Sequence, residues 1–420
     1  MRIGIFIDDY LPSVHGVATS TTNLKEALEG LGHEVYVIAP RCKGYRDEDD
    51  HVIRVPSSKN YVFDKRETGV IYPGLARRLD KYEFDIVHSQ MQFYVGVLAH
   101  SVAKRQNIPH VTTVHTLYTE LIDDYPLMVT AGIIALTVAL PIVLRTRPIL
   151  PTASREQLRS MSREAIKETF SHQGWRLTAA FANKCEACIS PSNHLARILI
   201  DEGGLTAPCY VRPNGINTRQ YRDADPEGSP IEKSPGEKFI ISVARLSPEK
   251  RQKALIEAIP FIPDTSIKLV LVGGGPYEHE LRTRAEELRV TDRVIFTGMQ
   301  PSDKVAALLK QADVFSLASY HFDNQPMTFL EAASSGLPIV YCDEQMTEGL
   351  TKRNAVLTGG IEGEDLAQAF NDLFSNPEKL DMLSRGSLDV AQEFDSTTMA
   401  ARMADLYEKL IRDHRTLSRH

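Results

Sequence analysis

Short apolar runs alternate along the chain with stretches in which apolar side chains return every three or four positions. The first run, Arg2-Ile3-Gly4-Ile5-Phe6-Ile7, stops at Asp8-Asp9-Tyr10-Leu11-Pro12, as a strand buried on both faces does when it enters a loop. Leu24, Ala27, Leu28 and Leu31 then repeat at i, i+3, i+4 and i+7, and Gly32 follows where a helix would stop. Glu34-Val35-Tyr36-Val37-Ile38-Ala39-Pro40 reads as a second strand. The three segments make a β-α-β unit, which implies a parallel sheet with a right-handed crossover. Phe84 to His88 and His110 to His115 continue the strand pattern.

Between Val211 and Lys238 the periodicity fades and Pro, Gly and charge accumulate, in Arg-Pro-Asn-Gly-Ile-Asn and then Asp-Ala-Asp-Pro-Glu-Gly-Ser-Pro. This composition marks an interdomain linker. Strands resume at Phe239 to Ala244, Ile267 to Val272, Val294 to Thr297 and Val314 to Leu317, with helical segments between them. The pattern therefore predicts two doubly wound α/β domains, 1–212 and 213–395. A final helix from about Thr397 to Ile411, within a segment 396–420, is free to cross back to the first domain.

The 420 residues suffice for two or three compact units. The 55 acidic side chains outnumber the 48 basic ones, giving a net charge of −7, which argues against nucleic acid as the main partner. Five cysteines, an odd number, fit a reducing compartment better than a disulfide framework. Met1 to Ile7 reaches Asp8-Asp9 too soon for a secretory leader, so the expected location is cytoplasmic.

In open α/β sheets ligands bind beyond the carboxyl ends of the strands. Arg245-Leu246-Ser247-Pro248-Glu249-Lys250 places two cations just after a strand, an arrangement suited to a diphosphate. Gly273-Gly274-Gly275-Pro276 lets backbone approach a ligand, although a tight turn explains it equally well. The third loop, Asp323 to Pro338, is the most specific. Pro326 suits the first helical position and Gly336 the helix end, so Met327 and Thr328 carry open N–H groups that favour an anion. Asp323 and Glu331 then supply two carboxylates able to hold vicinal hydroxyls.

These loops, together with Asp8 to Pro12, His15-Gly16-Val17, Phe84 to Ser89, His115-Thr116-Leu117-Tyr118, Pro191-Ser192, Asn214-Gly215-Ile216 and Phe296-Thr297-Gly298, resemble the successive motifs of family 4 retaining glycosyltransferases. The resemblance spans nearly the whole chain in order. It implies the GT-B fold, two Rossmann-like domains facing across a cleft, with a sugar-nucleotide donor on the C-terminal domain, an acceptor on the N-terminal domain and no metal requirement. Arg245 and Lys250 would bind the donor diphosphate, Gly16 would approach it, and Glu331 would take the ribose hydroxyls. Backbone near Gly298 and Met299 would meet the base, and Gly274 would flank the donor. Asp323 stands where the family usually has the first glutamate of an E-x7-E pair contacting the transferred sugar. His115 would point toward that sugar; a lone histidine at a strand end is as readily structural, so this role rests on the resemblance.

The sequence names neither base nor sugar, leaving UDP-glucose and GDP-mannose as donors. Front-face transfer, with the donor phosphate taking the acceptor proton, fits the lack of an evident nucleophile. Leu127 to Leu144 is an uncharged 18-residue stretch, interrupted by Pro141, better suited to a cleft-side or interfacial helix than to a span. Arg145 to Arg176 follows with seven Arg or Lys against three Glu, a charge balance that suits an anionic leaflet. This pair of segments resembles the membrane-docking part of glycolipid-forming members. The expectation is transfer of glucose, or mannose, to a lipid such as diacylglycerol at the inner face of the cell membrane. Transfer to a soluble or polyprenyl-linked glycan, and a sugar-nucleotide epimerase or binder on the same fold, are the alternatives. Asp47-Glu48-Asp49 and Asp223-Ala224-Asp225 spell D-x-D but read as solvated turns. Cys185-Glu186-Ala187-Cys188 spells C-x-x-C without a second ligand pair.

Overall fold

The computed structural model describes residues 1–13, 15–59, 67–70, 72, 74–92, 94–115, 132–134, 136–138, 140–141, 144, 149 and 160–417. The chain forms two compact units. One comprises Met1–Gly215 with Thr397–His420, the other Ile216–Ser396.

The first unit carries β1 (Arg2–Phe6), β2 (Glu34–Pro40), β3 (Val52–Val55), β4 (Ser57–Lys59), β5 (Glu67–Gly69), β6 (Ile86–Ser89), β7 (His110–Thr113), β8 (Ala187–Ser190) and β9 (Cys209–Val211). Seven of these make a sheet in the order β3-β2-β1-β6-β7-β8-β9, while β4 and β5 form a separate antiparallel pair. Every neighbour in the large sheet is parallel. Strands covered on both faces need apolar side chains at nearly every position, and Ile3, Ile5, Ile86, Val87, Val111 and Ala187 are all fully buried. Strand order reverses between β1 and β6, which places the loops after β1, β6 and β7 at the crevice where such sheets take ligands.

The helix Ser396–Leu417 completes this unit. Its Ala400, Met403, Ala404, Leu406, Tyr407, Leu410 and Ile411 join a core with Ile3, Ile5, Val35, Ile86 and Val111. At about 1.5–3 kcal/mol for each large aliphatic side chain buried, this face secures the helix to the sheet.

The second unit holds β10 (Lys238–Val243), β11 (Ile267–Val272), β12 (Val294–Gly298), β13 (Val314–Leu317), β14 (Ile339–Tyr341) and β15 (Ala355–Leu357) in the order β12-β11-β10-β13-β14-β15. All pairs are parallel, and order reverses between β10 and β13. Apolar cores pack on both faces of this sheet. The two predicted doubly wound α/β domains are present, with strand limits within a few residues of those read from the pattern.

The polar segment 211–238 contains more structure than its composition indicates. Asn217 caps the helix Thr218–Arg222, and Tyr221 from it is buried in the second unit. The acidic turn 47–49 is likewise not simply solvated. Arg54 donates two hydrogen bonds to Asp47 at 2.7 and 2.8 Å, and the buried Lys25 pairs with Asp49 at 2.6 Å.

Candidate active site

In the second unit three loops beyond β10, β11 and β12 are joined through their backbones. Leu246 N–H donates to Gly274 O at 3.0 Å, Tyr277 N–H to Leu246 O at 3.2 Å, and Gly273 N–H to Gly298 O at 3.0 Å. Glycine is required for this approach. A Cβ on Gly273 would lie 2.0 Å from Ala244 O and one on Gly275 would lie 2.1 Å from Leu246 O, and Gly273 has φ +143°. Gly298 has φ +69°, and a Cβ on Gly274 would meet Met299 Cγ at 3.0 Å. Gly273 and Gly275 are therefore packing necessities, whatever the loop also meets.

Arg245 and Lys250 each face a carboxylate. The Arg245 guanidinium meets Glu249 at 2.6 Å, and Lys250 Nζ meets Asp323 Oδ1 at 2.5 Å. The first pair is half exposed at the arginine, so solvent screens it. The second is more enclosed, and Phe322 lies 5.0 Å beneath the lysine nitrogen. Asp323 Oδ2 is buried without a hydrogen-bond partner among the described residues. Ser247 also bonds to Glu249, and the buried Gln252 amide donates to Arg245 O at 2.8 Å, which fixes the loop backbone. Residues Pro248–Lys250 form one 3-10 turn before the helix Gln252–Ala258.

Pro326 stands just outside the helix Met327–Ser334, one position earlier than expected; its φ of −64° and missing N–H suit either place. The Met327 side chain is buried with Phe329 and Leu330 in the core, and its N–H, with that of Thr328, lies in the first helical turn, where donors have no partner within the helix. Gly336, with φ +81°, follows the helix end. Glu331 is half-buried and shares a hydrogen bond with Tyr221, and burial raises its pKa from 4.5 to about 7. Met299 is 83% exposed.

In the first unit Gly16 is exposed at the start of the helix Gly16–Gly30. His15 caps this helix, its Nδ1 accepting from Ala18 N–H, and its Nε2 lies 3.1 Å from Asp9. His115 follows β7 and its Nε2 contacts Gln90 Oε1 at 2.7 Å. Burial, with a smaller repulsion from His15, lowers its pKa to about 4, so the ring is neutral near pH 7. The structure thus brings Lys250 to Asp323, and Gly274 to Met299, within the second unit, whereas His115 and Gly16 belong to the first. Sequence reasoning missed Glu249, Tyr221 and Gln90. Glu249 lay in plain view between the two cations; Tyr221 was hidden in a segment that reads as linker.

Of the apolar stretch 127–144, residues 127–131, 135, 139, 142 and 143 lie outside the described residues, as do Thr116 to Tyr118 and the basic positions 145, 147, 155 and 159. Among the described ones, Ile133, Leu140 and Leu144 pack against Leu177 and Phe181, while Ile134 and Val138 are 55% and 65% exposed. Among the described residues no helix is long and apolar enough to cross a membrane. Cys185 and Cys188 are buried; burial raises the Cys185 thiol pKa, and the hydrogen bond with Cys209, followed by burial, raises that of Cys188.

Residues 14–220 match the model of Glycosyltransferase Family 4, and residues 225–387 match that of glycosyl transferases group 1. The chain belongs to the family 4 glycosyltransferases. It is 30% identical over 353 residues to the alpha-monoglucosyldiacylglycerol synthase of Streptococcus pneumoniae, covering 81% of this chain and 70% of that one. A synthase of the same name from Acholeplasma laidlawii is 28% identical over 98% of each chain. Among solved structures, Anabaena Alr3699/HepE in complex with UDP aligns with a TM-score of 0.69 at 18% identity, over 97% of this chain and 100% of that one. This likeness shows the GT-B fold, and the family makes the protein a glycosyltransferase.

Proposed function

We propose that this glycosyltransferase moves a glucosyl group, with retention, from a nucleoside-diphosphate sugar to diacylglycerol at an anionic membrane surface. The likeness to a monoglucosyldiacylglycerol synthase along 98% of the chain carries this reading. The exposed Ile134 and Val138 beside a packed apolar face support contact with lipid, and the inner face of the cell membrane is the expected place of action.

Breaking the sugar–phosphate bond loads negative charge onto the departing nucleoside diphosphate and leaves an oxocarbenium-like carbon. Arg245 swings from its screened partner Glu249 to the diphosphate, Lys250 adds a second cation, and the Met327 and Thr328 N–H groups face the same anion. Glu331 accepts from the ribose hydroxyls. Asp323, already oriented by Lys250, offers its unpartnered Oδ2 to a hydroxyl of the transferred sugar. His115 contributes a neutral imidazole. The donor phosphate takes the acceptor proton as the new bond forms on the same face.

The full chain is to be mixed with UDP-glucose, or with GDP-mannose, and vesicles of diacylglycerol in phosphatidylglycerol. Glucosyl diacylglycerol in the UDP-glucose arm is the expected product. No lipid product from either donor, with sugar passing instead to a soluble glycan, would overturn the acceptor assignment; mannosyl diacylglycerol would overturn the sugar. A trapped glycosyl-enzyme adduct would refute front-face transfer.

A further inference from the structure

Behind His115 the first unit contains a buried polar chain that crosses three elements. His88 on β6 is fully buried, with both ring nitrogens engaged. Nδ1 lies 2.6 Å from the Tyr407 hydroxyl on the helix Ser396–Leu417, and Nε2 lies 2.6 Å from Thr113 Oγ1 on β7. Burial, with a smaller repulsion from His115, lowers the pKa of His88 to about 3. A neutral imidazole has one donor and one acceptor. The phenol is the better donor, so Tyr407 donates to Nδ1 and the Nε2–H donates to Thr113.

Gln90 connects this chain to His115. Its Nε2 is 3.4 Å from both nitrogens of His88. Equal long distances describe an amide laid against the ring, not two directed hydrogen bonds. The other end of the amide is sharply directed, with Oε1 2.7 Å from His115 Nε2. A carbonyl oxygen can only accept, so His115 must carry a proton on Nε2, and a neutral ring then presents Nδ1 as an acceptor. An aliphatic side chain at position 88 would pack between strands without partners. The polar residues here instead build a rigid support whose far end is Tyr407, also fully buried.

We propose that Gln90 is a positioning residue for His115, held by His88 and by the Tyr407 hydroxyl, and that it fixes His115 as the Nε2–H imidazole during transfer. The inference rests on reading His115 as an active-site group. Among the described residues, His15, from the turn before the helix Gly16–Gly30, adds a repulsion at His115, and His115 adds one at His88. The neutral amide at position 90 adds no charge beside the ring, where Glu would draw a proton onto it.

The test uses the full chain labelled with 15N-histidine, with His115 assigned through His115→Asn. Wild type is expected to show the Nε2–H tautomer. Gln90→Glu should raise the His115 titration midpoint by about one pH unit or more. Gln90→Leu should give mixed tautomers and lower kcat by about tenfold, with the donor KM within about twofold. Tyr407→Phe, which removes one oxygen and leaves the ring to pack, should move both readouts in the direction of Gln90→Leu. Identical His115 tautomer and midpoint in wild type, Gln90→Glu and Gln90→Leu would overturn the proposal. Full activity in His115→Ala would overturn the underlying reading of His115 instead, and the spectra would still decide whether Gln90 sets its tautomer.

Discussion

Replacing Glu331 by Gln should stabilise the second unit at alkaline pH while weakening donor binding. Burial holds the Glu331 carboxyl at about 7 against an ordinary 4.5. Between these values the folded protein keeps a proton that the unfolded chain has released, so stability falls as pH rises through the window. At about 1.4 kcal/mol per pH unit, the full penalty above about pH 8 approaches 3 kcal/mol. Gln never ionises and keeps a partner for Tyr221. Glu331→Gln should therefore match wild type near pH 4 and exceed it by up to about 3 kcal/mol at pH 8, or several degrees in Tm at about 2–4 °C per kcal/mol. Calorimetry at the two pH values checks this. Titration with a nucleoside diphosphate should show binding about 10- to 100-fold weaker, since a charged acceptor for the ribose hydroxyls contributes about 1.5–3 kcal/mol. The same stability gap at both pH values, or unchanged affinity, would refute the reasoning.

Gly275→Ala forces a methyl against Leu246 O. It should cost about 1–3 kcal/mol in chemical denaturation and disable donor binding measured by calorimetry. Arg245→Ala, which removes an exposed pair, should change stability by less than about 0.5 kcal/mol yet weaken diphosphate binding at least about tenfold. Lys250→Met leaves Asp323 enclosed and unpaired and should destabilise by about 2–3 kcal/mol. The double variant Lys250→Met/Asp323→Asn should recover most of that stability but none of the turnover; recovery of turnover would exclude a direct role for the pair.

Much of the scaffold was legible because a parallel sheet covered on both faces requires uninterrupted apolar strands. Ile267–Val272 and Val314–Leu317 appear with the limits their sequences predict. β9, β14 and β15, each only three residues long, are too short to separate from loop by pattern. Candidate residues were legible where they lie just beyond a strand end, as with Arg245, Lys250 and the glycines. It was illegible where partners are distant in sequence. Nothing near Lys250 announces that it meets Asp323, and nothing in the segment around Tyr221 announces its bond to Glu331. The family resemblance, stated from ordered motifs, is borne out, and so is the GT-B fold.

The helix Ser396–Leu417 has a consequence for biosynthesis. It follows the whole second unit in the chain yet completes the hydrophobic interior of the first. While the ribosome is still making Ile216–Ser396, the nascent amino-terminal lobe has one flank of its sheet uncovered and must wait, sticky and protease-sensitive, for that late segment. Messages truncated before codon 396 should yield polypeptides whose second lobe matures normally while the first is captured by chaperones or degraded.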